Sequence, residues 1–314
     1  MKATHTKIHA WYQANGRHTL PWRTTHDPYA IYLSEVMLQQ TQVKTVLERY
    51  YFPFLERFPT LQSLGEAPLD DVLKLWEGLG YYTRARNLHK TATQITQLPE
   101  DIDALIKLPG IGKNTAHAIA VFAFKQPVPI MEANVKRILC RIHTLTTPTP
   151  KGLWEIAYRM VDHTNPFDYN QALMDIGSTV CLPKNPHCHT CPFEAICQGK
   201  EEPTRYPTKI KKQTPTRHQQ LLLYSHQNTL ALTQRTGRFL HGLWGFEVCE
   251  TLPSDTVYLG EVTQTYTHFK LTAQIHLCRE STPTQSHYFS IEEIERLALS
   301  KVDAKIVKLF LDKI

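Results

Sequence analysis

A mainly α-helical first domain followed by a smaller α+β domain is the architecture this sequence predicts, on three observations. Residues 29 to about 177 place apolar side chains with helical period, interrupted by short turns that carry Pro or Gly. Residues 201–217, EEPTRYPTKIKKQTPTR, are rich in Pro, Thr and Lys and nearly free of apolar side chains, which reads as a linker. Beyond it the texture changes to short β-type runs. The predicted boundaries are therefore 1–200, 201–217 and 218–314.

In the first domain, DPYAIYLSEVMLQQTQVKTVLERYY opens at Pro28 and is expected to run on as helix. DDVLKLWEGLG begins with two acidic residues and stops at glycines, the polarity a helix favours. RARNLHKTATQIT, NTAHAIAVFAF, ANVKRILCRIH and LWEIAYRMVDH follow as further helices. In the second domain LLLYSH, TLALTQ, TVYLGEV and LTAQIHLC read as strands, and IEEIERLALSKVDAKIVKLFL as a helix broken near Ser300. There is no internal repeat and no low-complexity segment.

With 314 residues, 42% hydrophobic and 20% charged, the chain has material for two cores. Its net charge of +6 suits an anionic partner. The excess is spread: 21 Lys+Arg against 17 Asp+Glu up to residue 200, and 14 against 12 after it. MKATHTKIHAWYQ lacks the apolar stretch of a secretory signal, and the longest apolar run, AIAVFAF at 118–124, is too short for a membrane span. Seven cysteines, an odd number, argue against a disulfide framework and for a reducing compartment. A soluble intracellular monomer with no membrane partner is expected.

Three motifs carry chemistry. In LSEVMLQQTQV, 33–43, Glu35, Leu38, Gln39 and Gln42 fall on one face if the helix continues, so a carboxylate stands among apolar neighbours. In LPGIGKNTAHAIA, 108–120, Gly110 and Gly112 precede a helix, whose terminal N–H groups would face an anion. The spacing is neither a P-loop nor a dinucleotide fingerprint, and a plain interhelical turn fits it as well. In CLPKNPHCHTCPFEAIC, Cys181, Cys188, Cys191 and Cys197 form a C-x6-C-x2-C-x5-C pattern that implies a shared metal. Spacing alone leaves zinc, with His187 or His189 as possible substitutes, and a four-iron cluster both open. Cys140, Cys249 and Cys278 read as buried thiols.

Taken together these stretches resemble the helix-hairpin-helix, iron–sulfur DNA glycosylases. LPWR at 20–23, LSEVMLQQTQV at 33–43, WEGLGYYTRARNLHK at 76–90 and NVKRIL at 134–139 narrow the resemblance to the MutY adenine DNA glycosylases, over nearly the whole chain. The resemblance implies a helix-hairpin-helix glycosylase domain with a [4Fe–4S] cluster on Cys181, Cys188, Cys191 and Cys197, plus a Nudix-like α+β C-terminal domain. It implies base excision repair: hydrolysis of the N-glycosidic bond of adenine opposite 8-oxoguanine or guanine in double-stranded DNA, in a bacterial, nucleoid-associated cytoplasmic protein. Glu35 matches the family's general acid, and apolar neighbours would hold its proton near neutral pH.

The second carboxylate is where this chain departs from the family. PIMEANVKRIL has Glu132 and Ala133 where the family has Asp-Gly. Glu132 is expected to serve, with Asn134 orienting the site; the alternative is a catalytically impaired, lesion-binding protein. Bifunctional relatives place a lysine nucleophile where this chain has Asn114, so a monofunctional enzyme is expected. By resemblance Arg23, Leu38 and Asp175 line the adenine pocket, Gln39, Gln40 and Tyr81 act at the duplex, and Gly110, Gly112, Lys113 and Lys136 contact phosphates. The family reads 8-oxoguanine with Phe-Ser-His, for which this chain has Tyr266, Thr267 and His268. The Nudix catalytic signature is absent, so nucleotide hydrolysis is not expected.

Overall fold

A computed structural model of the chain describes residues 1–208, 214–237, 239–278, 283 and 286–313. In chain order its helices are α1 (Lys2–Asn15), α2 (Pro21–Thr24), α3 (Pro28–Leu38), α4 (Val43–Arg49), α5 (Tyr51–Arg57), α6 (Leu61–Glu66), α7 (Leu69–Leu75) and α8 (Thr83–Ala92). Then come α9 (Ile102–Ile106), α10 (Lys113–Phe122), α11 (Ala133–Ile142), α12 (Pro150–Met160), α13 (Pro166–Thr179), α14 (Ile291–Arg296) and α15 (Lys301–Leu311). The strands are β1 (Thr216–His226), β2 (Thr229–Gln234), β3 (Trp244–Gly245), β4 (Glu247–Cys249), β5 (Thr256–Thr265), β6 (Lys270–Cys278) and β7 (His287–Ser290). Among the described residues no helix is long and apolar enough to cross a membrane.

The chain divides into two compact units, residues 1–43 with 95–210 and residues 44–94 with 211–314. These units do not follow the sequence division at 200. Helices α4–α8, expected with the first domain, fall in the same unit as the sheet, where α7 and the start of α8 bond the connection between α14 and α15. Lys74 Nζ donates to Leu297 O at 3.0 Å, and the Tyr82 hydroxyl to Leu299 O at 3.1 Å. The linker reading falls partly on residues 209–213, which lie outside the described residues. On the near side Thr208 N–H donates to Thr146 O at 3.0 Å, and Tyr206 packs on the first core, so this stretch belongs to the first unit.

The first unit is built on one core of α1, α3, α10, α11, α12 and α13, with Tyr12, Ile31, Val121, Leu139, Leu173 and Ile176 buried in it. Burial of such side chains is worth about 2 kcal/mol each, which is what fixes the helix faces. The second unit holds a mixed sheet in the order β3-β2-β1-β6-β5, with β4 also on β1 and β7 on β2. β1 and β6 are parallel, and the other pairs are antiparallel. Alternate residues of β1 explain its placement: Leu221 and Leu223 enter the core with Val302 and Ile306, while Leu222 and Tyr224 pack on the opposite face. The break expected near Ser300 is a new helix start, where the Ser300 hydroxyl accepts from Asp303 N–H at 3.3 Å.

Candidate active site and nucleic-acid interface

Glu35 sits on α3, a helix whose nine residues from Tyr29 to Met37 are all buried. Asp27 caps it, accepting from Tyr29 N–H at 3.0 Å and Ala30 N–H at 3.2 Å, and Pro28 opens the first turn. Glu35 is 8% exposed, and its carboxyl has no hydrogen-bond partner among the described residues. Burial, then the like charge of Glu132, push its pKa up to about 8, against a smaller opposing pull from Arg23. The helical stripe through Gln39 and Gln42 does not form. α3 ends at Leu38, Gln40 has a left-handed φ of 58°, and Thr41 N–H closes a turn onto Leu38 O at 3.2 Å. Four successive polar residues, Gln39 to Gln42, leave no apolar face to extend the helix. Leu38 is half-buried at its end, Gln39 Nε2 donates to Thr115 Oγ1 at 3.2 Å, and Gln40 is exposed.

Glu132 takes the N-cap position of α11, yet its side chain makes no capping hydrogen bond. Burial raises its pKa as well. Asn134 lies in the first turn, where Arg137 Nη2 donates to its Oδ1 at 2.8 Å and also to Gly177 O at 2.5 Å. A Cβ on Gly177 would meet Asn134 Cβ at 2.4 Å, so α13 and α11 approach this closely only because residue 177 is glycine. Lys136 is exposed on the same helix.

Arg23 and Asp175 form a buried bidentate pair, with bonds of 2.7 and 2.9 Å. The side chains are 2% and 1% exposed. Arg17, which the sequence did not single out, adds its Nε at 2.6 Å and its backbone N–H at 2.9 Å. Burial alone would raise the Asp175 pKa; the guanidiniums of Arg23 and Arg17 outweigh it and hold the carboxyl below its ordinary value.

The glycine hairpin joins α9 to α10. Gly110 has φ of 74°, a left-handed conformation that glycine adopts without strain. Gly112 caps α10, and nothing lies within 4 Å of where its Cβ would be, so a ligand can reach the helix N-terminus. Lys113 opens α10 with its ammonium 4.3 Å from the Trp154 ring centroid, an aromatic partner on α12 that the sequence reading missed.

The four clustered cysteines line one small cavity of about 20 Å3, together with Arg141 and Pro203. His187 and His189 are exposed and do not line it. Among the described residues no three His, Cys, Asp or Glu side chains converge on a single ion. Burial pushes the Cys191 thiol up to about 12 and raises Cys188 and Cys197, so holding these thiolates needs a bound cation. Arg141 stitches the loop: it donates to Cys181 Sγ at 3.2 Å, Leu182 O at 2.7 Å and Pro203 O at 2.7 Å. Arg137 Nε donates to Cys181 O at 2.7 Å.

In the second unit Tyr81, Tyr266, Thr267 and His268 line a cavity of about 680 Å3 with Phe239 and Arg86. Tyr81 has a left-handed φ of 51° and is 40% exposed, and its hydroxyl hydrogen-bonds Thr267 Oγ1. Thr267 and His268 are exposed in the β5–β6 turn, while the Tyr266 ring packs tilted on Phe269 at 5.1 Å and edge-on to Phe239 at 5.2 Å. Burial pushes the Tyr266 hydroxyl up to about 12, so it stays neutral.

Comparison with known proteins fits this geometry. A family model described as HhH-GPD superfamily base excision DNA repair protein matches residues 33–161. The adenine DNA glycosylase of Buchnera aphidicola subsp. Baizongia pistaciae is 41% identical over 248 residues, covering 74% of this chain and 69% of the relative. The chain belongs to the adenine DNA glycosylase family. The human adenine DNA glycosylase is 30% identical, and the match covers 96% of this chain and 72% of that one. Among solved structures, a thermostable thymine-DNA glycosylase matches with a TM-score of 0.59 and 27% identity, over 64% of this chain and 98% of its own. An endonuclease III–DNA covalent intermediate matches with a TM-score of 0.54, over 63% of this chain and 93% of its own; at 18% identity this bears on the helical fold alone. Within the adenine DNA glycosylase family frame, the first unit brings together Glu35, Glu132, Arg23, Asp175 and Asn134, and the second brings together Tyr81, Tyr266, Thr267 and His268.

Proposed function

We propose that this chain is a monofunctional adenine DNA glycosylase. It hydrolyses the N-glycosidic bond of adenine paired with 8-oxoguanine or guanine and leaves an abasic site. The observation that carries the reading is Glu35, a buried carboxyl with pKa raised to about 8 beside a second carboxylate, Glu132. At neutral pH Glu35 holds a proton. It gives that proton to the extruded adenine, at N7, which weakens the bond to C1′. As adenine leaves, the sugar becomes oxocarbenium-like; ionised Glu132 stabilises it and takes the proton that water gives up on adding to C1′. Asn134 orients the Glu132 end of the site. Arg23, Leu38 and Asp175 form the adenine pocket, where the Arg23–Asp175 pair is a rigid wall.

Duplex DNA is held by the N-terminus of α10 at Gly110 and Gly112, with Lys113 and Lys136 on phosphates. Gln39, Gln40 and Tyr81 work at the base stack. The Thr267 hydroxyl accepts from N7–H of 8-oxoguanine and donates to O8, flanked by Tyr266 and His268 in a Nudix-like domain. Cys181, Cys188, Cys191 and Cys197 line one common cavity, and four thiols so placed are the ligand set a [4Fe–4S] cluster takes. Bound there, the cluster supplies iron–thiolate bonds that crosslink the 181–197 loop. Asn114, an amide, forms no Schiff base, which is why no lyase step is included.

The test is single-turnover incubation with duplexes carrying A opposite 8-oxoguanine, G or T. Expected are free adenine and a hydroxide-labile abasic site, fastest opposite 8-oxoguanine, without borohydride-trapped crosslink at a matching rate. Lesion footprinting with no abasic product would overturn the proposal.

A further inference from the structure

Residues 127–132, Pro-Val-Pro-Ile-Met-Glu, deliver Glu132 to the site as a strut held by its backbone. Asn170 Nδ2 donates to Val128 O at 3.0 Å, and its Oδ1 accepts from Ile130 N–H at 3.0 Å. His117 Nδ1 bonds Pro129 O at 2.9 Å. Burial lowers the His117 pKa, so the ring is neutral with its Nδ1 proton on that carbonyl. Asn114 Oδ1 accepts from Met131 N–H at 2.6 Å, the shortest of the four bonds and one peptide away from Glu132. Pro127 and Pro129 restrict φ between the anchors.

The anchors are not equivalent. Asn170 and His117 are 0% and 2% exposed and belong to the core. Asn114 is half-buried, at the second position of α10, directly after Lys113 of the hairpin. We infer that Asn114 is a positioning residue: through the Met131 amide it sets where the Glu132 carboxylate stands, and ties that carboxylate to the hairpin helix. This rests on the glycosylase reading. The position where bifunctional relatives carry a nucleophile is used here to aim the second carboxylate. The bond also offers a physical account of how the longer Glu132 is tolerated, since its backbone is fixed and its extra methylene need not be matched by a mobile loop.

Asn114→Leu keeps the size and removes the acceptor; Asn114→Asp keeps an acceptor oxygen. With the full chain and an A:8-oxoguanine duplex, Asn114→Leu is expected to slow single-turnover release about a hundredfold, the cost of roughly 1 Å of misplacement. Duplex Kd should stay within about threefold and Asn114→Asp within about fivefold of the native rate, as weak phosphate-side effects allow. In a Glu132→Gln background the Leu change should add almost nothing. An equal slowing in both backgrounds, or no slowing at all, overturns the inference. Amide exchange at Met131 reads it without turnover: fast exchange in Asn114→Leu and slow exchange in Asn114→Asp supports it, equal exchange overturns it. A native chain that releases no adenine would sink the functional reading instead, and the exchange result would still decide this one.

Discussion

Glu35 and Asp175 are two buried carboxyls in one unit, both under the influence of Arg23, and they are driven in opposite directions. Asp175 takes the bidentate fork of Arg23 and the Nε and backbone N–H of Arg17, and stays ionised. No such donor reaches Glu35 among the described residues and the charge of Glu132 acts on it, so burial keeps its proton. Burial alone does not decide the state of an acid; the donors placed on it do. One carboxyl is thereby a fixed charge that organises the pocket, and the other is a proton store.

The largest effect should come from removing the store. Glu35→Gln is expected to cut single-turnover release about 10³- to 10⁴-fold while duplex affinity in a gel or anisotropy titration stays near native, the upper range for general acid catalysis. Next, Asp175→Asn breaks the fixed charge. It leaves a guanidinium 2% exposed without its anion, and chemical denaturation should show a loss of about 3–5 kcal/mol.

The same contrast sets opposite pH responses. Glu35, raised, favours the folded state below the ordinary carboxylate range, and that contribution is lost as pH rises toward 8. Asp175, lowered, contributes above its ordinary value, and the contribution is lost as pH falls through its folded pKa. Glu35→Gln should therefore raise the Tm at pH 8 and leave it nearly unchanged at pH 4. The rate profile follows from the same states: an alkaline limb falling about tenfold per unit above pH 8, and an acid limb as Glu132 takes up a proton. Both limbs belong to the carboxyl pair. A flat profile from pH 7 to 10 with rate-limiting chemistry would remove Glu35 as the acid. The smallest effect belongs to Arg17→Gln, because that side chain is 35% exposed and solvent replaces much of its bond; about 1 kcal/mol is expected.

Much of this site was readable from residue order. LSEVMLQQ announced a carboxyl in an apolar helix, LPGIG a turn before a helix, and the cysteine spacing a cluster of four thiols. What residue order hid is of two kinds. Where the chain turns from helix to loop was lost at Gln39–Gln42, because helical spacing continues on paper after the apolar face has ended. Long-range donors were lost as well. Arg17 on Asp175, Trp154 under Lys113 and Asn170 on Ile130 are each separated by about 40 residues or more, and no local pattern announces such pairs. Asn170 did leave a trace: an amide beside QALMDIG is odd company for a core helix unless backbone groups await it. The bonds of Lys74 and Tyr82 to the carbonyls of Leu297 and Leu299, which link α7 and the start of α8 to residues more than 200 positions away, are equally silent in the sequence.

Helix α11 is short, ten residues or about 15 Å. Arg137 and Arg141 on its flank grip the carbonyl and sulfur of Cys181, while Glu132 and Asn134 stand at its other end. Damage to the thiol loop by an oxidant would therefore travel as a tilt of this rod and blunt excision with every reacting group still chemically intact.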